Sequence, residues 1–121
     1  MTKSAPKPGT PVRGSKSGKP IMALFDLLGR TWALGILWQL SDGPLTFREL
    51  QSRCETVSPT VLNKRLKELR ESLFVDRGDH GYELTPLGRD LFTKLHPLGD
   101  WSTKWAMQLR SERRDPEETP S

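Results

Sequence analysis

The stretch SPTVLNKRLKEL, residues 58–69, decides how this 121-residue chain folds. Ser58 is a good helix N-cap, because its hydroxyl can accept from a backbone N–H that has no partner in the first turn. Pro59 lacks an N–H and has its φ preset, so it suits the first helical position. At 100° per residue Leu66, Leu69 and Leu73 fall within about 40° of Leu62, which makes one apolar stripe. Thr60, Asn63, Lys64 and Lys67 lie on the other side, about 100° to 200° away. The basic side is open to two readings. It is either an ordinary solvated face, with Lys64 and Lys67 paired to Glu68 and Glu71, or a face that touches an acidic partner.

The flanking segments bear on that choice. Upstream, LTFRELQSRC (45–54) places Thr46 and Glu49 in the S/T-x-x-E relation of a capping box, so a third helix opens there. Phe47, Leu50 and Cys54 share one face of it, and residues 55–57 make the turn into the fourth. Downstream, LFVDR, GDHG and YELT predict strand, tight turn and strand. Thr85 caps a fifth helix with Pro86 at its first position. Pro97 begins a sixth, with Leu98, Trp101, Trp105 and Leu109 on one stripe. Nearer the N-terminus, PIMALFDLLG starts at Pro20 and stops at Gly29, and TWALGILWQLS forms a second helix ended by Asp42-Gly43-Pro44. The first helix is apolar on nearly every side, through Ile21, Met22, Leu24, Phe25, Leu27 and Leu28. A helix of that kind must be covered all round, which on so short a chain implies a second subunit. The expected fold is mainly α with a small β-hairpin: a winged helix-turn-helix over residues 20–110, its first helix covered by a second subunit.

Residues 1–19 hold five Lys and Arg and no acid, so the remaining 102 residues carry 14 basic against 15 acidic side chains. The formal charge of +4 is therefore a property of the tail and not of the fold. That tail is Pro, Gly, Ser and Lys with little to bury, and is expected to be disordered; it serves either as a solubilising arm or as a nonspecific phosphate contact. Residues 111–121 are polar and net acidic and are expected to fray. No run of about 18 apolar residues is present to span a membrane. One cysteine, Cys54, excludes an internal disulfide and suits a reducing compartment. Two histidines and one cysteine make no convincing zinc site. No nucleophile elbow or phosphate loop occurs, so neither enzyme chemistry nor a cofactor is indicated.

With these elements in order, the chain resembles the HxlR-type winged-helix transcription regulators. The resemblance runs from about Pro20 to Leu109 and is carried by DLLGRTWALGILWQL, DGPLTFRELQ, SPTVLNKRLKEL and YELTPLGRDL. It implies a cytoplasmic, nucleoid-associated homodimer that binds double-stranded operator DNA, usually as a repressor. It also implies a dimer interface of the first and last helices: Ile21, Met22, Phe25, Leu98, Trp101, Trp105 and Leu109. Ser58, Pro59, Thr60, Asn63, Lys64 and Arg65 fall by position in its recognition helix. Arg65 sits about 60° from the buried stripe, which suits a phosphate or an intramolecular partner better than a base. Lys67, Thr46 at the opening of the third helix, and Arg77 and His80 of the wing complete the expected DNA contacts. Asn pairs bidentately with adenine, and lysines reach guanine edges or phosphates.

Two features depart from the family's pattern. Many members carry Cys-Pro before the first helix, where this chain has Lys19-Pro20. Many have a long wing, whereas GDHG is nearly the shortest possible, and Asp76 and Asp79 outnumber Arg77. Cys54 itself lies on an apolar stripe and reads as a buried structural thiol. A small-molecule effector near the dimer interface is compatible with the pattern, but no residue names it. The short acidic wing and near-neutral body motivate an alternative: a winged-helix protein-interaction module without sequence-specific DNA binding.

Overall fold

The structure, a computed structural model, describes residues 5–118. Its order is α1 (Pro20–Leu28), α2 (Ala33–Leu40), α3 (Phe47–Arg53), α4 (Pro59–Glu71), β1 (Val75–Gly78), β2 (Gly81–Leu84), α5 (Pro86–Leu95) and α6 (Pro97–Glu118). This is the mainly helical winged helix-turn-helix that the sequence predicts.

The starts of the helices follow from local chemistry. Thr46 accepts from the Glu49 N–H while Glu49 accepts from the Thr46 N–H, which completes the capping box of α3. The Thr46 backbone N–H foremost, and then the Thr46 side chain, hold the Glu49 carboxyl below its ordinary pKa. Ser58 caps α4 by accepting from the Val61 N–H, and Thr85 caps α5 by accepting from the Gly88 N–H. Pro20, Pro59 and Pro86 each sit in a first turn, where a missing N–H costs nothing.

The core lies where α2, α3, α4 and the hairpin meet. Ile36, Leu37, Leu40, Leu50, Leu62, Leu66, Leu69 and Val75 are fully buried there, each contributing about 1.5–3 kcal/mol of burial. The hairpin is antiparallel, with Val75 opposite Leu84 and Gly78 opposite Gly81, so Asp79 and His80 form a two-residue turn. A third, one-residue strand escapes the sequence pattern: Leu45 exchanges both backbone hydrogen bonds with Tyr82, at 2.9 and 2.7 Å. The backbones approach closely at Gly81, where a Cβ would overlap the Leu45 carbonyl.

Three expectations need correction. Leu73 does not extend the buried stripe. Helix α4 ends at Glu71, and Leu73 takes a left-handed φ of 68° that leaves its side chain 65% exposed. The Phe74 N–H bonds the Leu69 carbonyl and the Leu73 N–H bonds that of Arg70, the pattern of a Schellman stop. Second, residues 5–19 have defined structure where composition predicted an arm without any. Ala5 is buried and donates its N–H to Glu71 Oε1 at 3.1 Å, and Arg13 donates its N–H to Asp26 Oδ2 at 3.0 Å. Composition misses this because two backbone donors and one small apolar side chain, Ala5, make the attachment. Third, α6 runs to Glu118, beyond the expected stop near residue 110. Residues 1–4 and 119–121 of the two expected tails lie outside the described residues. Helix α1, by contrast, is as open within the protomer as expected of a helix that needs a second subunit to cover it: Ala23 and Leu27 are buried, but Ile21 and Phe25 are exposed.

Candidate nucleic-acid interface

Helices α3 and α4 are joined through Cys54, Glu55 with a left-handed φ of 54°, Thr56 and buried Val57. That tight corner places the Ser58 cap and the first turn of α4 at the surface. Thr60, Asn63, Lys64 and Lys67 are all exposed. None of their side chains has a hydrogen bond or ion pair with another described residue. Pro59 has no N–H and the Val61 N–H is taken by Ser58. The Thr60 N–H is thus left as an open donor at the positive end of the helix dipole.

The acids of α4 do not neutralise this face. Glu68 is only 2% exposed. Its Oε2 lies 2.7 Å from Arg30 Nη1 and its Oε1 3.3 Å from Arg65 Nη1. Glu71 accepts the Ala5 N–H. Lys64 and Lys67 are therefore not the partners of Glu68 and Glu71 that a solvated face would supply.

Arg65 is placed away from the open face. Its Nε donates to the Thr31 carbonyl at 2.7 Å while Nη1 meets Glu68. Of the two roles expected for it, phosphate contact or intramolecular partner, these bonds supply the intramolecular one. Thr46 is exposed, with its hydroxyl engaged in the α3 cap. In the wing, Arg77 lies with its guanidinium carbon 5.6 Å from the Tyr82 ring centroid, and His80 is exposed at the turn. Arg77 and His80 stand on the hairpin, apart in sequence and element from the α4 cluster. Cys54 is buried, and burial pushes its thiol pKa up, the opposite of a reactive thiolate.

Helix α6 exposes Leu98, Trp101, Trp105 and Leu109, and the two indoles stack at 6.4 Å between centroids. Ile21 and Phe25 of α1 are exposed as well, and Met22 is half-buried. An apolar cavity of about 840 Å³ opens between residues 6–8, α1 and the α4–β1 turn, with Leu24, Leu73, Phe74 and Leu87 among its walls. The sequence reading misses Arg30 and gives Glu68 a solvated lysine for a partner where the structure gives it buried arginine contacts. Helical angles alone put Glu68 on the flank of α4, and its burial comes from the α1–α2 corner.

The HxlR-like helix-turn-helix family model matches residues 27–110. The chain is 32% identical over 87 residues to the HTH-type transcriptional regulator YvaP of Bacillus subtilis, covering 66% of this chain and 81% of that protein. The crystal structure of quinone-bound YodB from B. subtilis superposes with a TM-score of 0.65 at 32% identity, over 69% of this chain and 96% of that one. A possible HxlR family transcriptional factor from Thermoplasma volcanium superposes with a TM-score of 0.62 at 27% identity, over 69% and 82%.

Proposed function

Since the chain belongs to the HxlR-like helix-turn-helix family, and so is a DNA-binding transcriptional regulator and not an enzyme, we propose that it is a homodimeric repressor of a pseudo-palindromic operator. In this reading each α4 enters a major groove, with half-sites about 34 Å apart or a multiple of that. One observation carries it: α4 presents Thr60, Asn63, Lys64 and Lys67 without partners among the described residues, while both of its acids, Glu68 and Glu71, are engaged elsewhere. A lysine pair left unneutralised favours phosphate or guanine contact, and Asn63 beside it can read adenine. Ser58 and Pro59 open the helix toward a phosphate, and Thr46, Arg77 and His80 flank it. The dimer is built from Ile21, Met22 and Phe25 of one protomer and Leu98, Trp101, Trp105 and Leu109 of its partner. This pairing covers apolar side chains that a lone protomer leaves in water. A small-molecule effector would occupy the apolar cavity beside α1, a volume within the range of ligand pockets.

Selection of duplexes from a random library by the full-length protein tests this proposal. Recovery of an inverted repeat supports it. Salt-sensitive binding with no preferred sequence overturns it and leaves the interaction-module reading.

A further inference from the structure

Glu68 is the one charged residue buried as a whole among the described residues, and nothing in DNA contact requires it. Its two oxygens face arginines from two directions: Arg30 of the α1–α2 corner at 2.7 Å and Arg65 of its own helix at 3.3 Å. Arg65 returns to the corner through Thr31, at 2.7 Å. Two bonds from α4 thus end on consecutive residues of one turn. Asp26 extends the set, its Oδ1 lying 3.6 Å from Arg30 Nε and its Oδ2 accepting the Arg13 N–H. Trp32, which follows Thr31, holds a left-handed φ of 75°, a conformation that persists for a bulky residue only where its surroundings over-determine it.

As a source of stability this arrangement is poor, because a buried ion pair is often replaced by apolar side chains at no loss. What it supplies is direction. Apolar packing tolerates sliding and loses uniqueness before stability. Two charge-assisted bonds to adjacent residues fix both the rotation of α4 about its axis and its position along the corner.

We propose that Arg30, Glu68 and Arg65 are positioning residues that index the reading helix to the end of α1. The inference rests on the operator-binding dimer proposed above. In a dimer joined through α1, the ring sets the separation and pitch of the two α4 helices, and through them the half-site spacing that is accepted.

The test uses the full-length protein and a panel of operators whose half-sites are moved apart or together by one or two base pairs. The double variant Arg30→Met with Glu68→Leu replaces the ion pair by apolar side chains. Its circular dichroism, thermal midpoint, dimer mass and affinity for a scrambled duplex should match the wild type. Its affinity for the native operator should fall about tenfold or more, the effect of one base contact out of register, and its spacing preference should broaden. A folded variant that keeps the wild-type spacing preference overturns the proposal. Should that variant not fold, Glu68→Gln, which keeps an oxygen toward one arginine and turns an NH2 donor on the other, is read on the same panel with the same two outcomes. A wild type that selects no operator sinks the DNA-reading proposal itself, and this one with it, whereas failure in the variants alone sinks only the positioning role.

Discussion

Arg65 Nε donates to the Thr31 carbonyl at 2.7 Å, while its sequence neighbour Lys64 has no partner among the described residues. Two adjacent basic side chains on one helix therefore serve different ends. Lys64→Ala or Asn63→Ala should leave the thermal midpoint nearly unchanged and weaken operator binding by about 1–3 kcal/mol if the residue reads a base. Arg65→Ala should do the reverse, lowering folding stability by about 1–3 kcal/mol through the half-orphaned Glu68 and altering no single base preference. Urea titrations beside binding to single-base operator variants separate the two. Equal loss of base preference in all three variants would refute the division.

The basic arm is best tested without deleting it. Removing residues 1–18 would also remove buried Ala5 and its bond to Glu71. Replacing Lys7, Arg13, Lys16 and Lys19 by Gln keeps the backbone attachments and removes four of the arm's five basic charges. Each lost phosphate contact should flatten the plot of log affinity against log salt by about 0.9. A slope identical to the wild type would make the arm a structural strap only.

Gly88 stands where a Cβ would overlap the Phe74 carbonyl oxygen. In an open helix Gly→Ala gains about 1 kcal/mol. Here Gly88→Ala should instead destabilise the protein, by about 1–3 kcal/mol or more as α5 is pushed off the hairpin. A chemical denaturation midpoint at or above the wild type would show that the close approach is not maintained in solution.

The Cys54 thiol should be protected. Burial raises its pKa, so the neutral thiol persists to higher pH than in the unfolded chain. In that window the unfolded state has released the proton and the folded state has not, so stability falls as pH rises through it. A disulfide-exchange reagent should therefore label the native protein slowly near neutral pH and rapidly once urea unfolds it. Fast native labelling would contradict the buried placement.

Trp101 and Trp105 are both more than half exposed in the protomer. Trp101→Ala with Trp105→Ala should shift the protein from dimer to monomer at micromolar concentration, as removal of aromatic anchors at an interface centre does. Light scattering after size exclusion reads the mass. A double variant that remains fully dimeric would place the interface elsewhere.

The sequence reveals elements far better than junctions. Ser58-Pro59, Thr46 with Glu49, and Thr85-Pro86 announce helix starts because capping is local chemistry, written within four residues. The open face of α4 is likewise legible, since helical periodicity alone places Thr60, Asn63, Lys64 and Lys67 together. The acids of α4 were not legible. Glu68 is drawn inward by Arg30, 38 positions earlier in the chain, and no period connects them. Leu73 misled for a related reason: its angle fits the stripe, but the backbone has already left the helix. Nor could composition show that the arm is held by Asp26 and Glu71, since its own backbone N–H groups make the bonds.

The bridge between Leu45 and Tyr82 carries a mechanical implication. Leu45 immediately precedes Thr46, the residue that caps α3, and its two hydrogen bonds end on the strand leaving the wing. Across that bridge Gly81 leaves no room for even one methyl group. A force applied at Asp79 or His80 thus reaches the first turn of α3 through two backbone bonds, with no flexible link between. The wing and the helix-turn-helix form a single lever, and whatever tilts one must tilt the other.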